Sequence, residues 1–145
     1  SGRVIVSTES SDEEPKIDTL DIKPNAIDVI TAVYHIRNFD FDSMAAGDSI
    51  ILSVMVRDEL MDLKPVFRGE EEVTTREGEV FNCYHFSVRL VEGFLFRPGD
   101  EMFVWVTKDD NRVPVLVEAQ LKLGSVKVML ISAEGLRNPV TLTAQ

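Results

Sequence analysis

From residue 49 onward apolar and polar residues alternate with a period of two, the signature of strands that turn one face to a core. Ile50, Leu52, Val54 and Val56 line one face until Arg57-Asp58-Glu59 interrupts, and a further extended stretch runs from about Leu60 to Phe67. Val73 to Arg76 lead into a Glu77-Gly78 turn, from which the chain returns through Val80 to Leu90. There Tyr84, Phe86, Val88 and Leu90 point one way and Cys83, His85, Ser87 and Arg89 the other, so the first set is the predicted core set. Arg97-Pro98-Gly99-Asp100 is a turn signal, because proline presets φ ahead of a permissive glycine. Two consecutive hairpins follow: Met102 to Thr107, then Val113 to Leu121 with every odd position apolar, then a turn at Leu123-Gly124-Ser125 into Val126 to Ser132. Gly135 to Pro139 end the ordered structure, with Val140 to Leu142 able to add a short edge strand.

The first third reads differently. Val4, Ile5 and Val6 resemble a strand, and Glu9 to Pro15 form an acidic run without an apolar anchor, read as a flexible loop. Asn25 suits an N-cap, with Asp28 near the positive end of the helix dipole. Ile27, Ile30 and Tyr34 form one stripe, and Val29, Val33 and Ile36 an adjacent one, which predicts the one main helix near residues 25–38. Short turns exclude parallel crossovers. The expected fold is α+β and mainly β: a half-barrel-like, curved antiparallel meander of about six to seven strands packed against that helix. Residues 1–16 would be a strand and acidic loop closing a missing N-terminal half, and 17–145 a single domain. The opening Ser1-Gly2-Arg3-Val4, without an initiator Met, likewise predicts a piece of a longer protein.

Composition narrows the function classes. The 145 residues hold 15 Lys plus Arg against 25 Asp plus Glu, a formal charge of −10 that repels phosphate backbones and predicts no nucleic-acid partner. No apolar run reaches the ~18 residues of a membrane helix. The single cysteine, Cys83, cannot form an internal disulfide.

Candidate chemistry is sparse. Cys83 and His85 share a strand face, the minimum for a thiol beside a base, but Ser87 supplies neither an orienting group nor an oxyanion site. His35 and His85 are too far apart in sequence to define a metal box. Asp109-Asp110-Asn111 lacks the glycine and distal glutamate of a calcium loop and reads as a hairpin turn. Glu70-Glu71-Glu72 reads as charge on an edge strand. No catalytic residue, metal or cofactor is therefore assigned. The aromatics say more: Phe94, Phe96, Phe103 and Trp105 surround one hairpin, with Phe103 and Trp105 opposite Met102, Val104 and Val106. A strand apolar on both faces is covered on both, by packing partners or by a ligand.

The segment Ile27 to Arg37, Trp105-Val106-Thr107 with Asp109, Arg112 and Pro114, Val117-Glu118-Ala119 and Leu123 to Val126 together resemble the bacterial domain-of-unknown-function family 3108. The resemblance runs from about Ile22 to Pro139 and is to the C-terminal half of such proteins, whose members carry a secretion signal and an N-terminal β-rich half. It implies an exported protein of the Gram-negative envelope, periplasmic, with no established activity. By fold analogy alone, such sheets are similar to periplasmic lipoprotein carriers, whose concave faces hold acyl chains. Tyr34 and Arg37 match the helix motif, and Trp105, Asp109, Arg112 and Pro114 the hairpin motif. Structurally, Asp109 would cap turn amides, Arg112 pair with it across the hairpin, and Pro114 occupy an edge or bulge. The expected function is a non-enzymatic envelope module that binds an apolar or lipid-like ligand through Tyr34, Arg37, Phe96, Phe103, Trp105 and Arg112. The rival is a structural or assembly protein whose apolar face meets an envelope protein or its own N-terminal half.

Overall fold

The computed structural model describes residues 2–10, 13–22, 27–56, 59–89, 99–122 and 124–143. Strands β1 (Gly2–Ser10) and β2 (Glu13–Ile22) form an antiparallel hairpin, so both ends of the acidic run expected as a loop are strand. Strand β3 (Ile27–Asp28) precedes helix α1 (Val29–Ile36), and a 3-10 turn spans Phe41–Ser43. Then come β4 (Leu52–Val56), β5 (Glu59–Leu63), β6 (Pro65–Thr74), β7 (Val80–Arg89), β8 (Glu101–Thr107), β9 (Pro114–Leu121) and β10 (Gly124–Met129).

The fold is mainly β, and its centre is the five-stranded antiparallel meander β10-β9-β8-β7-β6. The hairpins predicted around Trp105 to Ser125 are β8-β9 and β9-β10. Several expectations are corrected. Among the described residues no sheet is closed or strongly curled, so the single curved half-barrel is replaced by sheets of five, three and two strands. A half-barrel needs one continuous ladder, whereas the extended stretch expected from Leu60 onward breaks at Lys64 into β5 and β6, which belong to different sheets. One pairing is parallel, Ile27↔Val54 and Asp28↔Met55, because α1 and the following turn supply a long enough connection. The helix has only 8 residues, and Ile27 and Asp28 lie in β3. The proposed cap Asn25 lies outside the described residues. Residues 140–142 form no strand, although Thr143 N–H donates to Val80 O at 2.8 Å.

Directly opposed residues share a sheet face. One face carries Tyr84, Phe86 and Val106, and here Phe41 of the 3-10 turn, 1% exposed, fills the role expected of the helix, with Phe67 beside it. Ring centroids of Phe41 lie 5.2 Å from Tyr84 and 4.9 Å from Phe86. The helix contributes Ile36 to this cluster and to the Leu52–Val54 cluster beside it. The other face buries Val73, Phe81, Cys83, Trp105, Val115 and Leu116. Each large side chain so buried contributes about 1.5–3 kcal/mol of transfer free energy.

Two bulges decide which residues reach which face. In β6 the register shifts between Phe67 and Gly69, so Phe67 opposes Phe86 while Glu71 opposes Cys83 and Val73 opposes Phe81. Odd-numbered residues thereby change sides, and the residue at the shift is Gly69 with φ 116°, a conformation that penalises any Cβ. The shift between Trp105 and Val106 does the same to β9: Pro114 opposes Val106, Leu116 opposes Trp105, and Val115 joins Leu116 in the second cluster. Pro114 thus stands at a bulge, as its missing N–H requires.

Candidate functional site

The predicted ligand residues separate into two places. Phe103 and Trp105 lie on the Cys83 face, where the Trp105 ring stacks on His85 at 4.4 Å and 6°, and Phe103 lies 5.7 Å from His85. Glu71, delivered to this side by the Gly69 bulge, accepts the Trp105 indole N–H at 2.9 Å. The same carboxylate oxygen is 3.4 Å from His85 Nδ1. His85 Nε2 is buried and has no hydrogen-bond partner among the described residues. Burial lowers the His85 pKa from its ordinary value, against the opposing pull of Glu71, and so favours the neutral ring.

Arg37 and Arg112 lie at the other place, the β8-β9 turn. Arg112 has φ 48°, its guanidinium sits 5.0 Å from the Phe41 ring, and its Nη1 donates to Arg37 O at 2.7 Å and to Phe39 O. In return Arg37 Nε donates to Asn111 O at 2.6 Å. Tyr34 is 61% exposed, with the Arg37 guanidinium 5.7 Å from its ring, so it stands off the apolar stripe to which the sequence assigned it. Phe96 lies outside the described residues. The structure thus brings Arg37 and Arg112 together at the turn and Phe103 and Trp105 together on the Cys83 face, with the sheet between the two pairs.

At the turn Asp109 Oδ1 accepts from Thr107 Oγ1 at 2.7 Å, Asn111 N at 2.9 Å and Arg112 N at 3.0 Å, while Oδ2 accepts from Thr141 N at 3.2 Å. Burial alone would raise its pKa; these hydrogen bonds outweigh that and hold the carboxyl below its ordinary value. Asp109 caps turn amides as expected, but Arg112 gives it only a backbone N–H, since the side chain is spent on carbonyls of the α1 exit. Both carboxylate oxygens are taken by protein donors, which fits a turn and leaves no calcium-loop geometry. Asn111, 1% exposed, is the residue sequence reasoning missed. Its Nδ2 donates to Asn138 O at 2.9 Å and Pro139 O at 3.2 Å, and its Oδ1 accepts from Asn138 N at 3.0 Å. A polar residue two positions after Asp109 in a turn is an unremarkable signal; its burial depends on a tail 27 residues further along.

Cys83 is fully buried, its thiol donates to Phe81 O at 3.7 Å, and burial first, then Asp109 and Glu71, push its pKa up to about 12. A thiol so raised stays protonated at neutral pH, the less reactive form. Among the described residues there is no cluster of His, Cys, Asp and Glu able to hold a metal ion, and no helix is long and apolar enough to cross a membrane.

An unpredicted feature is the space under the tail. Segment 130–143 crosses the Phe81 end of the sheet, tied by Leu130 N to Val115 O at 2.7 Å and by the Asn111 and Asp109 contacts. Beneath it is a cavity of about 360 Å³ walled by Phe81, Val113, Leu130, Leu136, Val140 and Leu142. Glu77 and Glu79, both exposed, also line it.

Comparison with curated proteins and with solved structures found no match. The family model described as protein of unknown function (DUF3108) matches residues 1–131, beginning well before Ile22 and ending within the segment that roofs the cavity. The Trp105 hairpin and the Arg37–Arg112 contact both lie in the matched length, and the chain belongs to the DUF3108 family.

Proposed function

We propose that this chain is a non-enzymatic, exported module of the bacterial cell envelope that binds an apolar or lipid-like ligand. The observation that carries the reading is the cavity of about 360 Å³ under segment 130–143. Its volume falls within the roughly 300–1,000 Å³ of small-ligand sites, and its walls are mostly aliphatic. Val140 and Leu142 at its wall are 40% and 47% exposed, and Ile131 is 76% exposed, so an apolar guest would remove costly surface from water. The absence of a catalytic role is supported by where the reactive groups are spent: the Cys83 thiol is buried, and Asp109 and Glu71 hold turn amides and an indole N–H. The periplasmic address follows the family resemblance.

A second reading has its own observation. Val126 and Val128 of the edge strand β10 are 44% and 58% exposed, opposite Ala119 and Val117, which fits an assembly protein whose apolar face meets an envelope partner.

The test is native mass spectrometry of the full chain with dodecyl maltoside below its micelle concentration. A one-to-one adduct that an Ala133→Trp substitution in the cavity lining abolishes is the expected result. An adduct that survives this substitution, or none at all, overturns the ligand reading. Loss of self-association or of partner capture in Val126→Lys/Val128→Lys protein, with no adduct in the parent, would favour assembly.

A further inference from the structure

Resting on the ligand reading above, we propose that the cavity under segment 130–143 selects single-chain amphiphiles with a cationic head over those with an anionic head. The apolar wall takes a chain of either kind; the charged groups beside it decide the head. Among the described residues Glu77 and Glu79 are the charged ones that line the cavity, and no Lys or Arg does. Arg76 and Arg137 belong to the same turn and tail but are not among the lining residues.

The two carboxylates differ from four others on this sheet. Glu70 is paired with Lys108 at 2.7 Å, Glu118 with Lys127 at 2.7 Å, Glu101 with Arg68 at 3.5 Å, and Glu71 with the indole N–H of Trp105. Among the described residues Glu77 and Glu79 have no such ion pair. Unpaired like charges beside an apolar cavity repel one another and an anionic head, and an entering cation relieves both. The formal charge of −10 adds a field of the same sign. Ser132 and Thr107 line the cavity with hydroxyls, and Thr107 Oγ1 is already committed, accepting from Val113 N at 2.8 Å and donating to Asp109. Hydroxyls alone leave little to hold a carboxylate or phosphate head.

The experiment titrates the full chain by calorimetry, in low salt and below micelle concentrations, with dodecyltrimethylammonium, dodecyl maltoside and dodecanoate. The cationic probe is expected to bind about tenfold more tightly than the anionic one, with the neutral probe between, and the gap to shrink as salt shortens the screening length from about 10 Å toward 3 Å. Glu77→Gln/Glu79→Gln protein should bring cation and anion to within about twofold while leaving the neutral probe unchanged. These residues are exposed, so the variant should fold. Equal affinity for the two charged probes in the parent, or a preference that persists in the double variant, overturns the inference and leaves the apolar site standing. Cation binding that persists in Ala133→Trp protein belongs to the acidic surface and also overturns it. Failure of all three probes to bind overturns the ligand reading itself.

Discussion

At the β8-β9 turn the side-chain polar atoms of Asn111 have partners, whereas on the adjoining β7-β8 pair the stacked His85–Trp105 leaves the buried Nε2 of His85 without one among the described residues. Both places were candidates for ligand contact. The turn joins three segments: Arg37 and Phe39 at the exit of α1, Asp109 to Arg112, and Asn138 to Thr141. Both oxygens of Asp109 and both polar side-chain atoms of Asn111 have protein partners there, as in a structural junction. The stack is held by one carboxylate, Glu71, which reaches Trp105 Nε1 and lies near His85 Nδ1, and keeps a titratable ring whose Nε2 gains no bond from being there. A saturated network fixes geometry, while a half-satisfied one responds to protons.

The largest way to break this contrast is Asn111→Ala. It removes three part-buried side-chain hydrogen bonds to the backbone of Asn138 and Pro139, each worth about 0.5–1.5 kcal/mol net. A loss of about 3–4 kcal/mol in urea unfolding is expected, with new protease cleavage in the 130–143 tail. A loss below about 1 kcal/mol would mean that the turn does not hold the tail. Arg112→Met should cost about 2 kcal/mol by freeing Arg37 O and Phe39 O. Arg112→Lys should recover only part of this, because an ammonium lacks the planar fork. Full recovery by lysine would show that charge alone matters there.

The stack predicts a smaller, pH-dependent effect. His85 has a lowered folded pKa, so the unfolded chain binds its proton first; stability from this residue is complete above about pH 6.5 and declines as pH falls below that value. Glu71 and Arg68 from β6 and Glu118 from β9 are the charged groups acting on it, the carboxylates opposing the decline and Arg68 adding to it. His85→Phe should preserve the ring stack and flatten urea midpoints between pH 8 and 5.5. An unchanged slope would place the titration elsewhere. Asp109, also lowered, acts in a more acidic window: its contribution is present above about pH 3.8 and lost as pH falls through its folded value. Smallest of all is Lys108→Ala, which opens the exposed pair with Glu70 and should change stability by no more than about 0.5 kcal/mol. A larger loss would show that this pair helps anchor the turn.

Much of the central sheet was legible because alternation reports which side of a strand is apolar. Tyr84 and Phe86 do point away from the side of Cys83 and His85, and Phe103 and Trp105 away from that of Val104 and Val106. The Glu77-Gly78 reversal and the Asp109 cap were legible from turn chemistry, which is local. The odd positions of β9 misled, since the bulge sends Val115 and Val117 to different faces. Arg112 misled as well: a charge near Asp109 in sequence had a better use in the carbonyls left open at the end of a helix.

The sequence by itself determined the mainly β character, the meander, the family and the two-sided apolar strand at Trp105, since each depends on neighbours along the chain. Only the tertiary structure decided the rest: that Phe41 covers the sheet where a helix was expected, that Gly69 shifts Glu71 to Trp105, that Asn111 is buried, and that the tail encloses a cavity with Glu77 and Glu79 beside it. Those features join residues tens of positions apart. Their free energies come from pairings that exist only once register and burial are set, and no local pattern encodes them.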